Sequence, residues 1–162
     1  MKIVFNSSPL IFLSRLDFLD LFLTTESQFL LPESVKEEIS AKQDKSFIHI
    51  NTLISENKLL VQKVQLLSLS SRLNQRLGIG ESESITLGVE LQPDYIILDD
   101  FAARKEAIRL GLNVKGTLAV IRKLQLDGKI NISDLDILYK QIRDVNFRVK
   151  REIFDSIFEI DK

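Results

Sequence analysis

The chain has 162 residues, no cysteine, 44% apolar residues and a formal net charge of −1. That length and apolar share suit one globular domain with its own core and exclude a disordered chain. The missing cysteine excludes a disulfide framework and any thiolate metal site.

Chain order alternates strand and helix signals. Short apolar runs at 2–5, 28–31, 59–64, 95–98 and 113–115 read as strands. Apolar residues about three apart predict a helix over 9–22. Pro32 followed by Glu33 marks a helix start, with a proline in the first turn and an acid near the positive helix end. Further helical pieces are expected at 46–54 and 68–77. A clear helix is expected over 80–91, stopped by Pro93. Helices over 101–110 and 117–126 end at Gly111 and Gly128, each placed as a C-terminal cap. Two amphipathic helices, 133–143 and 150–158, finish the chain. Strands that are nearly all apolar, alternating with helices, predict an α/β fold whose parallel sheet is covered on both faces. No linker divides the chain, so residues 1–127 read as the domain and 128–162 as a helical extension packed on or beside it.

The N-terminal run enters the first strand directly. With no leader and no apolar run of about 18 residues, the expectation is a cytoplasmic protein with no membrane partner. Charge is unevenly distributed: residues 1–100 carry nine Lys/Arg against fourteen Asp/Glu, and residues 101–162 carry thirteen against nine. Ordinary surface scatter accounts for many of these charges. The functional reading is an acidic pocket bordered by cations that hold a phosphate backbone.

In a parallel α/β sheet the ligand crevice lies outside the carboxyl ends of the strands. Four sets of polar residues fall there. Asn6, Ser7 and Ser8 follow the first strand, and Asp99 and Asp100 follow the fourth. Glu81 and Glu83 sit in the first turn of the helix before that strand, and Glu37 and Glu38 lie on the helix that starts at Pro32. Glu38 is tilted towards the crevice by its spacing from Val35 and Ile39. Either of Asp99 and Asp100 suits an N-cap, leaving the other for metal, and Glu81 and Glu83 also suit the helix dipole. Converging carboxylates are costly unless a hard cation such as Mg²⁺ or Mn²⁺ neutralises them. His49, the single histidine, lies in a polar stretch with no partner in view and reads as a packed or surface residue. Ser7 and Ser8 lack a base to activate them, and Gly78-Ile79-Gly80 lacks the lysine of a P-loop.

Five blocks together resemble the PIN-domain family: Val4-Phe5-Asn6-Ser7-Ser8-Pro9-Leu10-Ile11, Leu31-Pro32-Glu33-Ser34-Val35-Lys36-Glu37-Glu38-Ile39, Gly80-Glu81-Ser82-Glu83-Ser84-Ile85, Ile97-Leu98-Asp99-Asp100 and Val114-Lys115-Gly116-Thr117-Leu118. Their order and spacing are similar to a prokaryotic PIN-like subgroup related to toxin–antitoxin ribonucleases. The resemblance implies a Rossmann-like three-layer α/β/α sandwich and an Mg²⁺- or Mn²⁺-dependent ribonuclease. Position by position, the family's acids fall on Asn6, Glu38, Glu81 and Asp100, with Glu83 and Asp99 as neighbouring substitutes. Glu38, Glu81 and Asp100 become the candidate catalytic residues, and all six are candidate metal ligands. Ser7, Ser8, Arg104, Lys105, Lys115 and Thr117 are candidate substrate contacts. The resemblance also implies RNA as substrate, a small antitoxin partner and a homodimer.

Asn6 departs from the family pattern, since an amide lacks the charge that offsets dehydration of a hard cation. It keeps a rival open: a PIN-like module that binds RNA or protein without cleaving. A phosphoacceptor domain is a weaker rival, because its acid pair should follow the first strand.

Overall fold

A computed structural model describes residues 1–159. The five apolar runs form β1 (Lys2–Phe5), β2 (Gln28–Pro32), β3 (Leu60–Gln62), β4 (Tyr95–Ile97) and β5 (Val114–Lys115). They lie in the order β3-β2-β1-β4-β5 with every pairing parallel. The chain builds outward from β1 to β3, then returns to the other side of β1 with β4. A doubly wound sheet opens its ligand crevice where the order reverses. Here that point is the joint between the ends of β1 and β4, closed by the Asn6 N–H donating to Ile97 O at 3.1 Å.

Side chains alternate across a strand, so each strand feeds two cores. Ile3, Phe5, Phe29, Leu31, Tyr95 and Ile97 face one core, and Val4, Leu30 and Ile96 face the other. The first is covered by α1 (Ser7–Arg15), α2 (Leu19–Phe22), α3 (Glu33–Lys42), α4 (Lys45–Ser55), α8 (Thr117–Leu126), α9 (Leu135–Asp144) and α10 (Arg151–Phe158). The second is covered by α5 (Leu67–Leu73), α6 (Ile79–Leu91) and α7 (Phe101–Arg109). This is the expected three-layer α/β/α sandwich with its helical C-terminus. Leu138, Ile142, Phe154 and Phe158 of the last two helices are buried in the first core. Among the described residues no helix is long and apolar enough to cross a membrane.

Local chemistry accounts for most boundaries. Gly111 and Gly128 take φ of 85° and 74° just past α7 and α8, the left-handed turn that glycine makes without steric cost. The helix expected over 9–22 is two helices, broken where Asp17 turns left-handed at φ 62°. Asp is among the few L-residues that adopt this conformation readily, and apolar spacing alone does not register it. The helix expected over 68–77 stops at Leu73, and the strand expected over 59–64 contracts to three paired residues at the sheet edge.

Candidate active site

Three elements bring acidic side chains to the carboxyl edge. On α3, Glu38 projects towards the start of α1, where Ser7 Oγ donates to its Oε2 at 2.7 Å. The same carboxylate lies against the backbone of Gly80, the second residue of α6: a Cβ there would stand 2.1 Å from Glu38 Oε1. Only glycine permits that approach. Glu81, next on α6, is half-buried and reaches back towards the Gly78 N–H at 3.4 Å. Burial pushes the Glu81 carboxyl above its ordinary range, and the negative charges of Asp100 and Glu38 push it the same way, against the Gly78 contact. Glu38 and Asp100, both exposed, thus lie close enough to the half-buried Glu81 for the three to make one acidic patch.

Asp100 N-caps α7, its Oδ2 accepting the Ala103 N–H at 2.9 Å. Its Oδ1 has no hydrogen-bond partner among the described residues, so capping leaves half of the carboxylate available. Asp99 is committed elsewhere. Its two oxygens accept the Thr117 N–H at 2.8 Å and the Thr117 hydroxyl at 2.6 Å. Burial raises its pKa; the Thr117 bonds and the Arg104 charge oppose that shift. Arg104 Nη1 donates to Leu98 O at 3.0 Å, and a Cβ on Gly116 would meet both that nitrogen and Asp99. Asp99, Arg104 and Thr117 thus form a braced wall joining β4, α7 and α8.

The remaining expected residues separate into two groups. Asn6 is 4% exposed at the strand joint, and its Oδ1 receives only a long 3.4 Å contact from Ser84 Oγ. Lys115 is exposed and shares a groove with Asp99 and Arg104. Glu83 is engaged elsewhere, accepting the Ser34 N–H at 3.3 Å at the start of α3. Lys105 faces α5 beside Arg76 and Glu106. Ser8 makes no side-chain hydrogen bond to the acids among the described residues.

His49 does have partners, contrary to the expectation. Its Nδ1 pairs with Ser14 Oγ at 2.7 Å and its Nε2 with Asp20 Oδ1 at 2.8 Å. Ser, His and Asp in series resemble a nucleophile triad, but Ser14 is buried inside α1, whose N–H groups are engaged within the helix. No oxyanion hole is at hand, and the string ties α1, α4 and α2 together. Gly80 is the site residue that sequence reasoning missed, since only the folded approach of Glu38 reveals its role.

A doubly wound parallel sheet of this order belongs to the class of α/β proteins whose ligand crevice lies at the carboxyl edge, where this chain places its acidic side chains. The chain belongs to the PIN-domain family, whose pattern matches residues 2–161. PIN domains form a nuclease-type superfamily and are generally dependent on divalent metal. The fold is also similar to a PilT N-terminus domain protein from the hyperthermophilic archaeon Sulfolobus solfataricus P2. The two are 14% identical with a TM-score of 0.49, over 76% of this chain and 92% of that one. No curated protein sequence matches the chain.

Proposed function

We propose that the protein is a Mg²⁺- or Mn²⁺-dependent endoribonuclease of the PIN type. The carrying observation is the acidic patch at the carboxyl edge, where Glu38 meets Ser7 and the Gly80 backbone and where burial, then the Asp100 and Glu38 charges, raise the pKa of the half-buried Glu81. Such uncompensated charge at a sheet edge is unfavourable for folding alone and suits a cation. The donors are all oxygens, as a hard ion requires. Among the described residues no three acidic or histidine side chains are arranged to hold a metal; Glu38, Glu81 and Asp100 are the carboxylates that would hold it. When bound, the ion lowers the pKa of a coordinated water and offsets charge building on the phosphate oxygens. The chain's residues do the rest. Ser7 holds the Glu38 carboxylate in place, Asp100 offers its free Oδ1, and Glu81, with its raised proton affinity, takes a proton from the attacking water. Arg104 and Lys115 lie where flanking phosphates would run, while Thr117, expected as a substrate contact, is fully buried and with Asp99 serves as their brace.

In the same reading the protein acts in the cytoplasm as the toxin of a toxin–antitoxin pair, with a small antitoxin partner and a homodimeric assembly. Its rival is a PIN-like binding module, favoured by the uncharged Asn6 in the place of the first acid. A fluorescent single-stranded RNA incubated with Mn²⁺ separates the two. Cleavage should appear with metal, vanish in EDTA, and fall about 100-fold or more in Glu81→Gln and Asp100→Asn. Asn6→Asp should raise the rate or lower the metal requirement. Cleavage by neither the native chain nor Asn6→Asp above the Glu81→Gln background would leave only the binding module.

A further inference from the structure

A groove of about 780 Å³ opens at Asp99 and Phe101, the residues on either side of Asp100, within the size range of small-ligand sites. One wall is Asp99, Arg104 and Lys115. The other is the segment between α9 and α10, where Arg148 and Lys150 flank Val149. A second hollow of about 580 Å³, floored by Tyr139 and edged by Arg143, shares Arg148, Val149 and Lys150. Both lie against these three residues of the C-terminal segment, and the floor of the first is apolar, with Leu118, Phe147 and Ile153. Arg148, Lys150 and Lys115 are exposed and make no ion pair among the described residues. Phe101, the residue after Asp100, lines the groove and is 80% exposed as a residue. A large aromatic left in water beside a candidate catalytic acid has no packing role to explain it.

Unpaired cations spaced along a path, with an exposed aromatic at its mouth, are what a single strand of nucleic acid requires: charges for successive phosphates and a face on which a base stacks. We infer that this groove holds the single-stranded RNA flanking the scissile phosphate, with Phe101 stacking a base and Arg148 and Lys150 contacting backbone phosphates. This inference rests on the ribonuclease reading and adds the residues that select an unpaired strand. An acidic peptide would also meet the cations, but it would bring carboxylates towards Asp99 and Asp100 without the metal bridge available to a phosphate. The C-terminal helices thereby gain a role beyond packing: the turn between them completes the substrate path.

The test is fluorescence anisotropy with a labelled mixed-sequence RNA of about 12 nucleotides in EDTA, where binding is read without cleavage. Arg148→Ala/Lys150→Ala should weaken binding about tenfold and reduce the slope of log K against log salt by about 1.4, as expected for two lost single-strand phosphate contacts. Phe101→Ala should weaken binding about tenfold with the slope unchanged, because stacking releases no counterions. All three side chains are exposed, so melting temperatures should stay at the native value. Native affinity and slope in both variants would overturn the groove while leaving metal-dependent cleavage by the unmodified chain intact. Loss of binding to a poly-glutamate peptide but not to RNA would assign the surface to a protein partner and overturn it too. Failure of the native chain both to bind and to cleave would remove the groove and the ribonuclease reading together.

Discussion

At the residue scale, the candidate centre depends on a position with no side chain. Glu38 occupies the space a Gly80 side chain would fill, so Gly80→Ala must displace the carboxylate from Ser7. The displaced group is the end of a flexible chain, and alanine favours the helix by up to about 1 kcal/mol over glycine. Stability should therefore stay within about 1 kcal/mol of native while RNA cleavage falls about 100-fold, since misplacing a reacting group by roughly 1 Å costs that much. Parallel thermal melts and cleavage rates check both halves; an active Gly80→Ala would remove Glu38 from the centre. Glu81 gives a second prediction. Its carboxyl pKa is raised in the fold, so the folded chain holds that proton more tightly than the unfolded one. The ionised form thus destabilises the protein at neutral pH, and the deficit disappears as pH falls through the raised pKa towards the ordinary value. Glu81→Gln should melt higher than native at pH 7, with its advantage shrinking on acidification, even as it abolishes cleavage. A lower melting temperature at pH 7 would refute a repulsive acidic patch.

At the element scale, two helices show what sequence reveals and what it conceals. The start of α6 was legible from Gly80-Glu81-Ser82-Glu83, yet the same letters hide which acid turns inward. Glu81 and Glu83 are two residues apart, about 200° around the helix, and only tertiary packing decides that Glu83 meets α3. Ser82, Ser84 and Thr86 are buried, each donating its hydroxyl to the carbonyl four residues back. These internal bonds let a polar face pack against the sheet without orphaned groups, which is why the apolar pattern of α6 is weak. The acid after β4 was ambiguous for a related reason. Asp99 and Asp100 both suit a cap, and the choice follows from Thr117, eighteen residues away. On α4, Asp44 caps the Phe47 N–H and bridges Arg15 at 2.7 Å. The Ser46 hydroxyl, then the Arg15 bond, pull its pKa well below the ordinary 3.8. Being depressed in the fold, this group contributes stability that is present above pH 3.8 and is lost as pH falls towards the lower folded value. Asp44→Ala should cost about 1 kcal/mol at pH 7, roughly 2–4 °C in a domain of this size. Melts from pH 7 to pH 2 should show the difference narrowing below about pH 3.8.

At the scale of the whole molecule, the strand and helix alternation was enough to predict a parallel sandwich, because buried parallel strands are apolar on both faces. The reversal between β1 and β4 was not, because strand order is a long-range choice among equally apolar runs. The role of the last two helices was also open: their apolar stripes suit packing and oligomer contacts equally. Phe154 and Phe158 settle part of it. Their rings pack tilted at 4.7 Å between centroids, with Phe154 wholly buried among residues from the first core and Tyr139 edge-on at 5.1 Å. We infer that residues 128–159 fold with residues 1–127 as one cooperative unit rather than as an appendage. The proposed substrate path depends on that union, since Arg148 and Lys150 stand on the turn these helices hold against α8. Phe154→Ala should cost about 3–5 kcal/mol, the usual price of emptying an aromatic core site. Urea unfolding followed by circular dichroism and by tyrosine fluorescence should stay a single coincident transition at a lower midpoint. Two separated transitions, with the earlier one confined to the C-terminal helices, would show that the tail unfolds on its own and that the groove can open without loss of the acidic centre.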